Sequence, residues 1–319
     1  MSANEYIPIR VSTLRGDLKI PFDAYVKVAS KHILFCRQGD SFEGDRLVRL
    51  KKKKLKKMYI LPEHEEPYRR YISESIEAAF DNNSDKSIED RAAVIQGAQQ
   101  AAAEDVMENP EDQHSYHLAK KGSAKYVEFI LNNSEATKSI LAIKNADNDL
   151  AHHGVTVSTL ALGIAKELGV VESQPQLLDQ LILGSLLHDF DHYHSGIPYS
   201  LPLQEMTDEQ RVIYLAHPQS GVDRLKNLQH FDQLVLKIIL QHEELINGSG
   251  FPNKMLEKDL DPLVLTVSTA NAFDRYITFQ NVPVKDALKT MLIEKMGLYP
   301  LAQMKALQLA LKNQGVITS

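Results

Sequence analysis

His188 and Asp189 are the strongest candidates for a chemical role. The two polar residues directly follow a segment that is almost wholly apolar. That segment, Leu177 to Leu187, predicts a helix at the centre of a core. Burying an ionised carboxylate at the end of such a helix is costly unless the carboxylate is paired or bound to a metal ion. An aspartate that can bridge two cations, beside a histidine, therefore indicates the start of a dinuclear metal site.

Three further histidines, His153, His217 and His242, lie among apolar helical segments. We expect His153 to begin one helix and His242 to end another. His217, followed by Pro218, should open a third. Taken singly, each is better explained as a core or capping histidine whose ring is satisfied by hydrogen bonds. Their shared placement at helix ends favours a bundle that converges all of these side chains on one metal site.

Four motifs follow one another along this part of the chain: His153, His188-Asp189, His217-Pro218-x-x-Gly221 and His242-Glu243-Glu244-x-x-Asn247-Gly248-x-Gly250-Phe251-Pro252. Their order resembles that of the HD-GYP family, a bacterial branch of the HD-domain metal-dependent phosphohydrolases. The resemblance covers roughly residues 145–290, and the last motif keeps the family's spacing without gaps.

The resemblance implies an all-helical HD-type bundle that holds two divalent metal ions, iron or manganese, with room for a third. HD-GYP proteins typically hydrolyse cyclic di-GMP, so the expected substrate is cyclic di-GMP or a related cyclic dinucleotide. Asp189 would bridge the ions and serve catalysis, and Asp149 lies where some members carry a carboxylate for a third ion. Substrate contacts are expected from Gly248, Gly250 and Phe251. The family's metal-ligand positions correspond to His153, His188, Asp189, His217 and His242.

Several positions depart from the family's pattern. Glu243 replaces a second histidine and Asn271 replaces an aspartate. Both could still bind a metal ion, although a neutral amide binds more weakly, and Asp274 could substitute for Asn271 one helical turn away. His192 stands where the family has lysine; it could be a catalytic proton donor near neutral pH, or a loop residue without a role. Phe251 replaces the family's tyrosine and keeps only the ring.

These matches and departures leave two hypotheses. The retained ligand positions favour a metal-dependent cyclic di-GMP phosphodiesterase in bacterial second-messenger signalling, with a divergent site and reduced activity. The altered positions favour a catalytically degenerate member of the same family, acting as a nucleotide sensor or a protein-interaction module. Glu243 and Asn271 decide between them more than the histidines do.

The pattern of apolar residues along the chain predicts the elements that must position these residues. It indicates a mainly α fold, an HD-type bundle preceded by a small α/β domain. Residues 1–80 should form that α/β domain, with a regulatory or interaction role and a helix from about Asp45 to Lys57. Residues 81–144 predict a helical connector, which could support a homodimer or a signalling partner. Residues 145–319 form the predicted HD-GYP-like domain, with one helix from Val155 to Leu168.

Composition narrows the remaining alternatives. The chain has 319 residues, of which 43% are apolar and 24% charged, a balance typical of globular proteins. A formal net charge of −6 disfavours a nucleic-acid binder. Its single cysteine, Cys36, excludes a disulfide framework and fits a reducing compartment. Because we find neither a signal peptide nor an apolar span, we expect a cytoplasmic protein without a membrane segment.

Overall fold

The computed structural model describes residues 6–16, 18–145 and 148–317. The chain separates into two compact units, one within residues 1–101 and the other within residues 102–319. A small sheet lies in the first unit and the second is helical, which confirms the predicted fold class. The three-part division at residues 80 and 144 stays a prediction.

The sheet of the first unit has four antiparallel strands in the order β1-β4-β2-β3. Side chains alternate between its faces, so Ile9, Met58 and Ile60 share a buried core with Phe22 and Phe42. The strands are β1 (Ile7–Arg10), β2 (Ala24–Val28), β3 (Lys31–Cys36) and β4 (Lys57–Ile60).

Two helices of the first unit, α1 (Arg46–Lys52) and α2 (Glu65–Phe80), flank strand β4 in the chain. The expectation that the first helix would reach Lys57 was wrong. Lys54 adopts a positive φ of 55°, which an α-helix does not allow, and Lys57 already belongs to β4. Lysine is a good helix former, so propensity alone extended the predicted helix beyond the point where the chain turns into the sheet.

Helix α8 lies at the centre of the second unit, and α4, α6 and α11 pack against it. Its residues from Leu181 to Leu187 are all buried. A Cβ atom on Gly154 of α6 would lie 2.6 Å from the carbonyl oxygen of Leu186, so glycine at this position permits the close approach of α6 to α8. The helices from residue 88 onward are α3 (Ile88–Glu108), α4 (Gln113–Asn132), α5 (Ala136–Leu141), α6 (Leu150–Glu167), α7 (Val170–Ser173), α8 (Leu178–Leu187), α9 (His192–Ser195), α10 (Asp208–Leu225), α11 (Gln233–Gln241), α12 (Pro262–Asp274), α13 (Val284–Ile293) and α14 (Leu301–Asn313).

Two predicted helix starts in this unit were wrong. Helix α6 begins at Leu150 rather than Val155, because Asp149 caps it by accepting a hydrogen bond from the His152 N–H. His217 and Pro218 do not open a helix; they lie inside α10, which is continuous from Asp208 to Leu225. Among the described residues, no helix combines the length and apolar character needed to cross a membrane.

Candidate metal centre

Four buried histidines from four helices converge on the buried carboxylate of Asp189. His153 lies in the first turn of α6, and His188 directly follows α8. His217 lies within α10, whereas His242 directly follows α11. The structure therefore brings together the five residues that the sequence singled out first.

Three of these imidazoles are held in the same way, by a backbone carbonyl three residues earlier in the chain. Nδ1 of His188 lies 2.7 Å from the Ser185 oxygen, and Nδ1 of His242 lies 3.0 Å from the Ile239 oxygen. Nδ1 of His217 lies 2.5 Å from the carbonyl oxygen of Tyr214. Because a carbonyl oxygen only accepts, each Nδ1 must donate, and in the neutral ring Nε2 keeps its lone pair.

Each of these three carbonyls lacks the N–H donor that an α-helix normally supplies. Ser185 and Ile239 lie in the last turns of α8 and α11, where carbonyl groups have no partner four residues on. Tyr214 lies four residues before Pro218, and proline has no N–H to donate. Pro218 therefore creates inside α10 the same free acceptor that a helix end provides.

His153 is held differently, by a carboxylate. Its Nδ1 lies 2.6 Å from Oδ2 of Asp274, and both side chains are fully buried. Oδ1 of Asp274 accepts a hydrogen bond of 2.9 Å from the Thr278 hydroxyl, which fixes the carboxylate. Nε2 of His153 faces Oδ1 of Asn271 at 3.0 Å. Asp274 therefore orients His153 from the side of the ring away from Asn271. This role differs from the prediction that Asp274 could replace Asn271 as a metal ligand.

Asp189 lies between the two halves of the centre. Its Oδ1 lies 3.3 Å from Nε2 of His217 and 3.2 Å from Nε2 of His242. Its Oδ2 lies 3.4 Å from Nε2 of His188 and 3.8 Å from Nε2 of His153. Burial raises the pKa of Asp189, but its interactions with His188, His217 and His242 outweigh burial and hold that pKa well below its usual value. The carboxylate is therefore ionised.

The arrangement fits divalent metal ions. Neither oxygen of Asp189 has a hydrogen-bond partner among the described residues, and neither does Nε2 of His188. Nε2 of His217 and Nε2 of His242 face each other at 3.0 Å, although the opposite nitrogen of each ring already donates its proton. Lone pairs that converge without a proton between them are satisfied by a cation. Two groups could hold an ion, and they share one carboxylate: His153 with His188 and Asp189, and Asp189 with His217 and His242.

The altered positions differ in their relation to this centre. Asn271 lies on the buried side of α12 and points its oxygen at His153, a member of the first group. Glu243 belongs to neither group, and its Oε1 accepts a hydrogen bond of 3.1 Å from the Tyr214 hydroxyl. Asp149 also lies outside both groups, as the cap of α6. Roles for Glu243 and Asp149 as metal ligands stay predictions.

His192 is buried against the centre rather than exposed in a loop. Its ring lies 4.0 Å from the ring of His217 and 5.0 Å from that of Tyr214, measured between centroids. Burial, together with the neighbouring His217, holds the pKa of His192 well below its usual value, so the ring is neutral near pH 7. A neutral ring differs from the switchable proton donor expected there, and the catalytic role of His192 stays a prediction.

The Gly-Phe-Pro loop is fixed by the buried side chain of Glu244, which accepts hydrogen bonds from the N–H groups of Asn253 and Met255. A Cβ on Gly250 would lie 2.3 Å from the backbone nitrogen of Leu245, so this turn admits only glycine. Gly248 has a positive φ of 78°. The ring of Phe251 lies 6.0 Å from that of His217. The loop therefore places an aromatic ring beside the centre, as the prediction of substrate contacts requires.

Two residues near the centre, Tyr214 and Arg275, were missed in the sequence. Tyr214 packs on His192 and His217 and supplies the carbonyl that holds His217. Its place one turn before a His-Pro pair was a visible signal. Arg275 directly follows Asp274, and nothing in the sequence showed that its charge is buried. Three of the histidines without a predicted role, in contrast, each bond a backbone carbonyl: His152 with Ile143, His194 with Met107 and His230 with Pro110.

Comparison with known proteins agrees with this geometry. Residues 143–295 match the HD domain family. The chain is also 48% identical to the solved structure of Bd1817, described as an HDG"Y"P protein, from Bdellovibrio bacteriovorus; the match covers 96% of this chain and 99% of that one, with a TM-score of 0.90. The chain belongs to the HD-GYP family. Members of the wider HD domain family are metal-dependent, and the two groups around Asp189 in this HD-GYP protein could hold such ions.

Two curated relatives of this HD-GYP protein are similar over a shorter range. The cyclic di-GMP phosphodiesterase PA4108 of Pseudomonas aeruginosa is 26% identical over 145 residues, 46% of this chain and 34% of that protein. The cyclic di-GMP phosphodiesterase response regulator RpfG of Xanthomonas campestris pv. campestris is 26% identical over 149 residues, 46% of this chain and 38% of that protein. The chain thus spans little more than a third of the length of these relatives.

Proposed function

We propose that this protein is a metal-dependent phosphodiesterase that hydrolyses cyclic di-GMP in the cytoplasm. Cyclic di-GMP is the substrate named for the relatives PA4108 and RpfG. The observation that carries the proposal is the buried, ionised carboxylate of Asp189. Four histidines surround it, and neither of its oxygens has a hydrogen-bond partner among the described residues. Two unpaired oxygens on one carboxylate are what a ligand shared by two ions requires.

We infer that one ion is held by His153, His188 and Asp189, with the amide oxygen of Asn271 as a further ligand. The other ion is held by Asp189, His217 and His242. Nitrogen and oxygen ligands of this kind suit iron or manganese. When bound, such ions neutralise phosphate charge and lower the pKa of a water that attacks phosphorus.

The chain's own residues prepare this chemistry in three ways. Backbone carbonyls and Asp274 fix the tautomer of each histidine, so that Nε2 is the free nitrogen. Asp189 provides permanent negative charge between the two groups. The rigid turn at Gly250 sets Phe251 beside the centre, where its ring could pack on a base of the substrate.

The test combines metal content with turnover. Purified protein should contain about two metal ions per chain by elemental analysis. Protein loaded with iron, manganese or nickel should hydrolyse cyclic di-GMP, whereas the Asp189→Asn variant should not. Loaded wild-type protein that binds two ions but hydrolyses no cyclic dinucleotide would overturn the proposal.

A second candidate function rests on Glu243, which contacts the Tyr214 hydroxyl and belongs to neither ligand group. Under this second hypothesis, the protein keeps the family fold but hydrolyses no substrate, and it acts as a nucleotide sensor or interaction module. The paired substitution Glu243→His with Asn271→Asp separates the candidates. Activity that arises only in the substituted protein supports the sensor, and activity in the unaltered protein excludes it.

A further inference from the structure

Arg275 is an arginine beside the metal centre, and one of its two terminal nitrogens has no hydrogen-bond partner among the described residues. It begins a π-helical turn, Arg275–Phe279, that directly follows α12. Its Nη2 donates to the carbonyl oxygens of Tyr199 at 2.9 Å and Leu201 at 3.5 Å. Its Nη1 is buried and has no hydrogen-bond partner among the described residues. π-helical turns are rare and frequently occur at functional sites.

Two aromatic rings fix the position of the guanidinium relative to the centre. Its Cζ lies 5.5 Å from the ring centroid of Tyr214 and 5.4 Å from that of Phe279. The Tyr214 ring packs on His217 at 5.1 Å, and the Phe279 ring packs on His153 at 4.8 Å. Arg275 is therefore flanked by the rings that cover one histidine of each ligand group.

The electrostatic surroundings keep this side chain charged. Burial lowers the pKa of Arg275, but Tyr214, Glu243 and Asp189 together outweigh burial and raise that pKa. A buried charged donor without an acceptor is costly, so the two N–H bonds of Nη1 require an acceptor from outside the described residues. Guanidinium N–H groups donate strong, charge-assisted hydrogen bonds to phosphate oxygens.

We propose that Arg275 binds the phosphate of the substrate through Nη1. This inference rests on the proposed function, because it assumes a phosphodiester at the neighbouring centre. His192, three residues after Asp189, stands where the family has lysine. Arg275 supplies a fixed positive charge beside the centre from the turn that follows α12.

The test measures inorganic phosphate binding to the manganese-loaded protein by calorimetry, without turnover. Arg275→Gln should weaken phosphate binding at least about tenfold, the effect of losing one charge-assisted hydrogen bond. Arg275→Lys, which keeps the charge, should restore part of it. The matched control is Arg224→Gln, since Arg224 also stacks on an aromatic ring, Phe190 at 5.4 Å, but pairs with Asp191. Its phosphate binding should equal that of the wild type.

Metal content, measured on every variant, shows whether the centre is intact. Arg275→Gln protein with full metal content and unchanged phosphate affinity would overturn the proposal, as would an equal loss in the Arg224→Gln control. If both Arg275 variants fail to fold, a crystal structure of the wild type grown with phosphate decides. Phosphate within hydrogen-bond distance of Nη1 supports the proposal, and phosphate bound elsewhere, or none, overturns it. Failure of the proposed function shows separately, as absent hydrolysis of cyclic di-GMP by the wild type.

Discussion

The carboxylate of Asp274 gives the sharpest test of how the two ligand groups are built. Its Oδ2 lies 2.6 Å from Nδ1 of His153, and both side chains are fully buried. Asp274→Asn replaces a hydrogen bond to a charged acceptor by one to a neutral amide. Bonds to charged groups contribute about 1.5–3 kcal/mol and neutral ones about 0.5–1.5 kcal/mol. The difference of about 1–1.5 kcal/mol corresponds to roughly tenfold in affinity.

This loss should fall on one ion only. His153 belongs to the group it forms with His188 and Asp189, whereas His217 and His242 are held by backbone carbonyls that the substitution does not touch. Outer-shell substitutions typically cost about 10- to 100-fold in metal affinity, which sets the upper end of the expected effect. Titration against a competing chelator should therefore show one ion bound as in the wild type and one bound at least about tenfold more weakly.

Two controls separate this effect from general destabilisation. Thr278→Val removes the hydroxyl that donates to Oδ1 of Asp274 but leaves the bond to His153, so it should change metal affinity less. Asp232→Asn disturbs another hydrogen-bonded carboxylate, which contacts Tyr116, and should lower stability without changing metal binding. If the Asp274→Asn protein is folded by circular dichroism and binds both ions with wild-type affinity, the assignment of Asp274 as the residue that orients His153 is wrong.

Three further outcomes follow from the same geometry. Asp189→Asn should reduce the binding of both ions, whereas His217→Ala should remove one, as counted by elemental analysis; equal losses in the two variants would contradict a shared carboxylate. Pro218→Ala restores an N–H that competes with His217 for the Tyr214 carbonyl, so chelator titration should show metal affinity lower by up to about tenfold, and unchanged affinity would refute that role for proline. Removal of metal should lower the thermal midpoint of the wild type, because an ion at a free concentration of 100 times its Kd stabilises the fold by about 2.7 kcal/mol. An equal fall in the Asp189→Asn variant would show that ions bound at this centre are not the cause.

The sequence predicted the five convergent residues because helix ends could be located from hydropathy. The structure explains why that signal worked: a histidine that follows a helix can donate to a carbonyl in its last turn. His217 also donates to a free carbonyl, but this carbonyl lies inside α10 rather than at a helix end. The predicted helix start at His217 was therefore wrong. Pro218 marks a missing N–H, which is common at the start of a helix but here lies inside one.

Other features depend on tertiary contacts that no local pattern encodes. The start of α6 is an exception, because its N-cap Asp149 was a local signal that the predicted start at Val155 passed over. The side of His153 on which Asp274 lies follows from the packing of α6 against α12. The environment of Arg275 likewise depends on rings that come from α10 and from its own π-helical turn.

The way in which the histidines are held makes the two ends of the centre unequally vulnerable to mutation. His188, His217 and His242 are oriented by main-chain oxygens, which no side-chain substitution can delete, although loss of Pro218 would add a competing N–H at His217. His153 is oriented by Asp274, which a single codon change can remove. Among random variants of this chain, loss of ligand orientation should therefore arise mostly at the His153 end. A site degraded in this manner would first lose the ion at that end and still bind the other.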